Sequence, residues 1–330
     1  MRSDMKVLLS LLLLVLLLFA ASLLVGPAGL GVGDSLAALF RGEGDAVVLV
    51  MREIRLPRAL LGAMVGAVLG LSGAAMQGYL RNPLAEPGII GISSSSALGA
   101  VLALQTGAAA MFPLALPLSA LSGAGIAVLL ILALAGPRGG AMALILAGIA
   151  ISALAGALTS LVLNLSSNPF AAMEIVFWMM GSLADRSMQH VWLAAPFMVA
   201  GSALLLAMGR PLDALTLGED AAASMGVNLT RLRWQLVIGT ALAVGASVAV
   251  AGAVGFVGLV VPHLVRPLMG ARPSRVLPAS MLGGACMVLA ADVAVRIVAP
   301  DQDLKLGVLT ALIGAPFFLH LIWRLRGAEA

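Results

Sequence analysis

Long apolar runs alternate with short polar connections along almost the whole chain of 330 residues. A helix that crosses the hydrocarbon core of a bilayer needs about 20 mostly apolar residues. The first run covers residues 7–25, and nine further runs are centred near Gly66, Leu98, Leu121, Ala153, Ala200, Val244, Gly258, Leu289 and Leu312. The pattern predicts an all-α polytopic membrane protein with about ten transmembrane helices, two of them short and broken by proline and glycine.

The composition supports this prediction and leaves little room for a soluble domain. Hydrophobic residues make up 61% of the chain and charged residues 10%, with a mean hydropathy of +1.10. Ordinary soluble domains have about 45–50% apolar and about 25% charged residues. We therefore expect residues 1–330 to form a single transmembrane domain. The first run is longer than the hydrophobic part of a usual signal peptide, so we interpret it as a retained span.

One segment, residues 210–233, is polar over a length in which the rest of the chain is apolar. It contains six charged residues, and Gly218 and Gly226 divide it into short pieces. With the N-terminus in the cytoplasm and alternating spans, 12 of the 19 lysines and arginines fall inside, in agreement with the positive-inside rule. The inside set is Arg2, Lys6, Arg81, Arg138, Arg210, Arg231, Arg233, Arg266, Arg272, Arg275, Arg324 and Arg326. This orientation makes both termini and the polar segment cytoplasmic.

Several classes of function are excluded or disfavoured by what the sequence lacks. The only lysines are Lys6 and Lys305, and neither stands in a phosphate-binding G-x-x-x-x-G-K-[ST] loop, so any nucleotide must be bound by another subunit. Cysteines and histidines do not occur at zinc spacing. There is no nucleophile motif and no pair of catalytic carboxylates, so we expect neither an enzyme nor a bound cofactor. The basic pI near 10.2 reflects cytoplasmic loops rather than nucleic-acid binding.

Two helical stripes of small residues have more than one interpretation. Gly62, Gly66 and Gly70 form a repeated small-xxx-small pattern that is typical of tight helix packing. A second stripe, also spaced by four, consists of Gly148, Ser152, Gly156 and Ser160 and lies on one helix face. This second stripe indicates either packing or a weakly polar wall along a transport pathway.

The few charges near the spans allow similar alternatives. Arg52, Arg55 and Arg58 recur at intervals of three, where headgroup anchoring and partner docking are both plausible. Asp292 and Arg296 are spaced for a pair within one helix. Glu86 and His263 are the only candidates for the relay that a proton-coupled carrier would need.

Two regions, residues 60–91 and 238–270, share a glycine-rich helix that leads into a span broken by proline. Their sequences pass through RNPLAEPGIIG and VPHLVRPLMG. Broken spans are tolerated where protein or a cavity covers the freed backbone groups. The repetition indicates the inverted repeats that are common in transporters.

Three long motifs resemble those of FecCD-type permeases, the membrane subunits of type II ABC importers for ferric siderophores, haem and cobalamin. They are RLPRALLGAMVGAVLGLSGAAMQGYLRNPLAEPGIIGIS, GAVGFVGLVVPHLVRPLMG and LGVLTALIGAPFFLHLI, and the likeness runs in the same order over about residues 55–324. The resemblance implies the type II importer permease fold, a homodimer in the lipid of the bacterial inner membrane, and a central pathway. It also implies two cytoplasmic ATP-binding subunits that use ATP and Mg, and a periplasmic binding protein.

The resemblance further implies roles for particular residues. The coupling helices that contact the ATPase match a segment at about residues 211–231, with contacts at Asp213, Leu217, Gly218, Glu219, Ala222 and Gly226. Docking of the binding protein falls on Arg55, Arg58 and Arg296. The pathway is lined by Gly148, Ser152, Gly156 and Ser160. One departure is Asp303-Leu304-Lys305 before the last span, where the family commonly has Glu-Leu-Pro.

The function that we expect from the sequence is a permease subunit that moves a bulky iron chelate, either haem or a ferric siderophore. The first alternative is a cobalamin importer of the same family. A proton-coupled carrier and a membrane scaffold or sensor without transport activity are the others, and no residue decides the cargo.

Overall fold

The computed structural model describes residues 2–26, 29–41, 45–112, 114–136, 140–299 and 304–328, and these contain helices and no strand. The α-helices are α1 Arg2–Leu24, α2 Val32–Phe40, α3 Asp45–Leu49, α4 Leu56–Leu80, α5 Ile92–Gln105, α6 Ala108–Met111, α7 Ala115–Ala135, α8 Ala141–Leu165, α9 Pro169–Met179, α10 Met188–Leu206, α11 Gly209–Leu215, α12 Glu219–Ser224, α13 Leu229–Ala251, α14 Val257–Val265, α15 Pro273–Val298 and α16 Leu306–Ala328. A π-helical turn, Val50–Arg55, joins α3 to α4, and 3-10 turns occupy Pro87–Ile90 and Pro267–Met269.

Seven stretches of helix in the described residues are long and apolar enough to cross a membrane. They are α1, the continuous α3–α4 unit, α7, α8, α10, α13 and α15, and α5, α9 and α16 are shorter apolar helices. The first predicted run coincides with α1 and all nine predicted centres fall inside helices, which confirms the all-α polytopic fold and is compatible with about ten spans. The short helix α9 was not predicted.

The core is formed where α4 packs against α15 and α13. In the α3–α4 unit and in α13, 78% of each helix's most apolar stretch is buried, whereas in α1 the buried share is 6%. Helix α1 therefore lies at the periphery of the bundle. Gly66 and Gly284 face each other so closely that a Cβ at either position would overlap the carbonyl oxygen of the other. A Cβ at Gly70 would likewise overlap the carbonyl oxygen of Ser280. The packing interpretation of the first glycine stripe is thus confirmed.

The two broken regions meet inside the bundle. The carboxylate of Glu86, before α5, accepts a hydrogen bond of 2.9 Å from the backbone N–H of Phe256, before α14. Gln77 donates to the carbonyl oxygens of Gly258 and Leu259, both at 3.3 Å. The first region therefore supplies side-chain partners for backbone groups at the second break, as a low-dielectric interior requires.

Contacts at the helix ends define two ends of the molecule. At the start of α1, Asp4 forms a salt bridge of 2.7 Å with Arg275, at the start of α15. At the other end of the same helices, Arg296 of α15 binds the carbonyl oxygens of Ser22 and Val25. α1 and α15 are therefore parallel, as the predicted alternation of spans requires. Following that orientation, we term the end with Asp4 the inner end and the end with Arg296 the outer end.

Candidate functional site

The polar segment forms two short helices, α11 and α12, as expected for a surface that contacts a partner. A turn at Gly218 joins them, and its φ of 107° favours glycine because other residues are strained there. Leu217 and Met225 are 68% and 63% exposed although both are apolar. Glu219 begins α12 and is exposed, where the helix dipole favours an acidic residue.

Asp213 faces the protein interior rather than the surface. Its two carboxylate oxygens accept hydrogen bonds from the backbone N–H and the hydroxyl group of Ser274, at 2.8 and 2.6 Å. Because Ser274 lies in the first turn of α15, Asp213 caps that helix and joins it to α11. Asp213 is half-buried, and Ala222 is fully buried. Of the six residues assigned to ATPase coupling, these two support the segment, while Leu217, Glu219 and Gly226 are exposed.

A cavity of about 500 Å³ lies beside α12 at the inner end. Arg210 and Arg231 border it, together with Met225 and Gln235. The cavity and the exposed face of α12 together form a concave, partly cationic surface next to the exposed apolar side chains of Leu217 and Met225. Such a combination is typical of protein–protein contacts.

Exposure increases along the stripe on α8, from the buried Gly148 through the half-buried Ser152 to an open half. Gly148 is buried, and its carbonyl oxygen lies 2.9 Å from the position that a Cβ on Gly91 would occupy. The Ser152 hydroxyl donates a weak hydrogen bond of 3.4 Å to the carbonyl oxygen of Gly88. Gly156 and Ser160 are exposed, and no atom lies within 4 Å of a Cβ added at Gly156. Packing explains the first half, and the second half is available to line a pathway.

The three arginines assigned to docking lie together at the outer end around Asp292. The Asp292 side chain is 2% exposed and forms salt bridges with Arg58, at 2.9 Å, and with Arg296, at 2.8 Å. Arg55 is 4% exposed and donates to the carbonyl oxygens of Leu23 and Leu24, both at 3.0 Å. The predicted pair of Asp292 and Arg296 is confirmed, but it is part of a larger network.

Arg52, Arg55 and Arg58 reach three different partners instead of one shared surface. The guanidinium group of Arg52 donates to the carbonyl oxygen of Leu39 in α2, at 2.9 Å. The π-helical turn in which Arg52 and Arg55 lie changes their angular spacing relative to an α-helix. An exposed stripe of three arginines is therefore not formed.

The proposed proton relay is not assembled in the described residues. Glu86 is bonded to the backbone N–H of Phe256, whereas the ring of His263 packs edge-on against Phe317 at 5.7 Å between centroids. Across the described ranges, no group of three or more His, Cys, Asp or Glu side chains could hold a metal ion. Asp303 lies outside the described residues, and the neighbouring Lys305 ammonium stands 5.5 Å from the centre of the Phe177 ring.

Two contacts in these sites were missed by sequence reasoning. The bond from Arg58 to Asp292 spans 234 residues, and that from Asp213 to Ser274 spans 61. Only a pair within one helix carries a spacing signal, so Asp292 could be matched with Arg296 but not with Arg58.

A bundle of apolar helices with two broken spans that meet in its interior is typical of membrane transporters. A family model described as the FecCD transport family matches residues 12–324. The chain belongs to this family and is an ABC importer permease.

Relatives and a solved structure agree with this assignment. The vitamin B12 import system permease protein BtuC of Salmonella typhi is 41% identical over 325 residues, covering 97% of this chain and 96% of BtuC. The protein of the same name from Salmonella paratyphi A is 40% identical with the same coverage. A metal-chelate type ABC transporter in an inward-facing conformation superposes with a TM-score of 0.86 at 35% identity, covering 97% of this chain and 99% of that one.

Proposed function

We propose that this permease imports cobalamin across the bacterial inner membrane. The observation that carries the proposal is the identity of 40–41% to vitamin B12 permeases along 97% of the chain. The comparisons favour cobalamin over the haem or ferric siderophore that the sequence analysis preferred. Cobalamin is itself a metal chelate, so the similarity to a metal-chelate type transporter is compatible with the same cargo.

Two copies of the chain are proposed to enclose the pathway, with the α8 helices facing each other. The open half of the stripe, at Gly156 and Ser160, would then form a smooth wall with few hydrogen-bonding groups. A weakly polar wall suits the passage of a bulky solute, because a tight binding site would slow its release. Specificity then rests largely with the periplasmic binding protein.

Energy enters at the inner end through the exposed face of α12. Two cytoplasmic subunits that bind ATP and Mg are proposed to hold Leu217 and Glu219 in a groove, with both termini on the same side. Movement there is passed to the span α15 through the cap that Asp213 forms on Ser274. Rocking of the bundles about the paired breaks then alternates access between the two sides.

The cargo is tested by uptake in cells that lack this permease but retain its partners. Radiolabelled cobalamin uptake is expected to fall to the background level and to return when the chain is supplied on a plasmid. Uptake of ferric siderophores and of haem is expected to stay unchanged in the same cells. Loss of siderophore or haem uptake with normal cobalamin uptake would contradict the proposal and restore the iron-chelate hypothesis.

A further inference from the structure

The helix α2 is too short to cross a membrane and lies at the outer end of the molecule. It has nine residues, Val32–Phe40, whereas a span needs about 20. It follows the outer end of α1, and the guanidinium group of Arg52 holds it by a hydrogen bond of 2.9 Å to the carbonyl oxygen of Leu39. Helix α2 is therefore fixed to the π-helical turn from which α4 continues.

One side of α2, which we term its apolar face, is uncovered in the chain. It consists of Val32, Leu36 and Phe40, which are spaced by four and so lie on the same side of the helix. The exposed fractions of these residues are 58%, 48% and 78%. Single exposed apolar side chains are common on protein surfaces, but three in one row form a patch that indicates a contact.

The other two sides of α2 differ from the apolar face. Ser35 and Ala38 are fully buried, so their side packs on the protein. Asp34 and Arg41 are exposed and seven residues apart, about two helical turns, so they form a polar side. Arg41 directly follows the helix and keeps helical φ and ψ angles. At about 100° per residue, the polar side points about 150° away from the apolar face, as expected at a boundary between lipid and water.

The helices next to α2 indicate what covers the apolar face. Helix α1, which leads into α2, has only 6% of its most apolar stretch buried, and Leu13 and Leu17 are each 59% exposed, as in a span that faces lipid. Helix α3, on which α2 packs, has Leu49 60% exposed. The apolar face thus adjoins apolar surfaces that a bilayer covers. A soluble partner that binds and leaves would return this face to water each time, whereas lipid covers it permanently.

We propose that α2 lies along the surface of the lipid leaflet at the outer end and anchors that end of the permease. The apolar face enters the region between the headgroups and the acyl chains, and the polar side stays toward the headgroups and water. The partner is the phospholipid bilayer itself. Through the bond from Arg52 to Leu39, the anchor fixes the π-helical turn at the start of α4 relative to the leaflet. This role does not depend on the cargo.

The test measures what reaches a spin label on each side of α2. Cys286 is the only cysteine of the chain, so Cys286→Ser provides a background in which one introduced cysteine can be labelled. Leu36→Cys on the apolar face and its matched control, Asp34→Cys on the polar side, each receive a nitroxide before the permease is assembled with its ATPase in nanodiscs. If Cys286→Ser does not fold, Cys286 is retained, since it is only 7% exposed, and the signal of labelled wild-type protein is subtracted.

The two labels are expected to respond in opposite ways. Oxygen, which concentrates in bilayers, should relax the label at Leu36→Cys more strongly than a water-soluble nickel chelate does. At Asp34→Cys the nickel chelate should be the stronger relaxant. Addition of loaded binding protein is expected to leave both values at Leu36→Cys unchanged, because lipid already covers that side.

Three results would overturn the inference. Stronger relaxation by nickel than by oxygen at Leu36→Cys in the complex alone would place the apolar face in water. Protection from both reagents that appears only with loaded binding protein would make α2 a docking surface. Dipolar broadening between two labels at Leu36→Cys would make it an interface between copies of the chain. None of these results bears on whether the permease carries cobalamin, so the two proposals can fail separately.

Discussion

Replacing Gly284 by valine is expected to prevent the permease from reaching its folded state. The α4 and α15 backbones touch at Gly284 and Gly66, and a Cβ on either glycine would overlap the carbonyl oxygen of the other. Because a backbone cannot move aside as a flexible side chain does, the loss of folding free energy should exceed the roughly 1–3 kcal/mol that ordinary overpacking causes. We expect loss of monodisperse protein in detergent, or a Tm lowered by ten degrees or more, on the order of several kcal/mol.

The matched control is Gly125→Val, in the apolar span α7. No atom lies within 4 Å of a Cβ added at Gly125, so valine should be tolerated there with a normal yield and Tm. A folded and stable Gly284→Val variant would show that α4 and α15 can separate at low cost, and the description of the core would be wrong.

Reversing the charge of Glu219 to lysine is expected to abolish stimulated ATP hydrolysis while the permease stays folded. Glu219 is exposed in the first turn of α12 and supports no described contact in the core. A lysine there opposes the helix dipole and places the wrong charge at the proposed ATPase contact. We expect the rate of stimulated ATP hydrolysis to fall at least about tenfold, which corresponds to at least about 1.4 kcal/mol of coupling free energy. The rate is measured on the whole complex with loaded binding protein.

Glu53→Lys supplies the control for this prediction. Glu53 is an equally exposed acid, but it lies in the π-helical turn at the outer end. Its reversal should leave stimulated hydrolysis intact when the ATPase is saturating. Normal stimulation in Glu219→Lys would instead remove α12 from the ATPase contact.

The sequence predicted best those structural features that depend on residues close to one another in the chain. Apolar runs located the helices, and the spacing of Gly66 and Gly70 predicted a packed face. Prolines and glycines located the first break at residues 81–91 and placed the second at residues 261–270, whereas α13 already ends at Ala251 and α14 covers Val257–Val265. Composition alone identified the polar segment, its two glycines predicted that it would divide into short pieces, and the resemblance implied that these are helices. These features depend on neighbours within a few residues.

Other features depend on contacts that only the folded chain creates. Asp213 looked like one of several surface charges, but it caps α15 because the fold brings Ser274 to it. Arg55 and Arg58 looked equivalent in the sequence, yet α1 covers one and leaves the other partly exposed. Sequence spacing cannot predict such differences, since they are decided by elements tens to hundreds of residues away. The residues assigned to docking, coupling and the pathway stay predictions until partners are measured.

The central claim, that this chain carries cobalamin with energy from a separate ATPase, is tested most directly by uptake into proteoliposomes. The permease is reconstituted with its ATPase and binding protein, and labelled cobalamin is supplied outside. Uptake is predicted to require ATP and Mg on the ATPase side and to stop when the ATPase is omitted. Uptake that continues without nucleotide and follows an imposed pH gradient would contradict the account and favour a proton-coupled carrier.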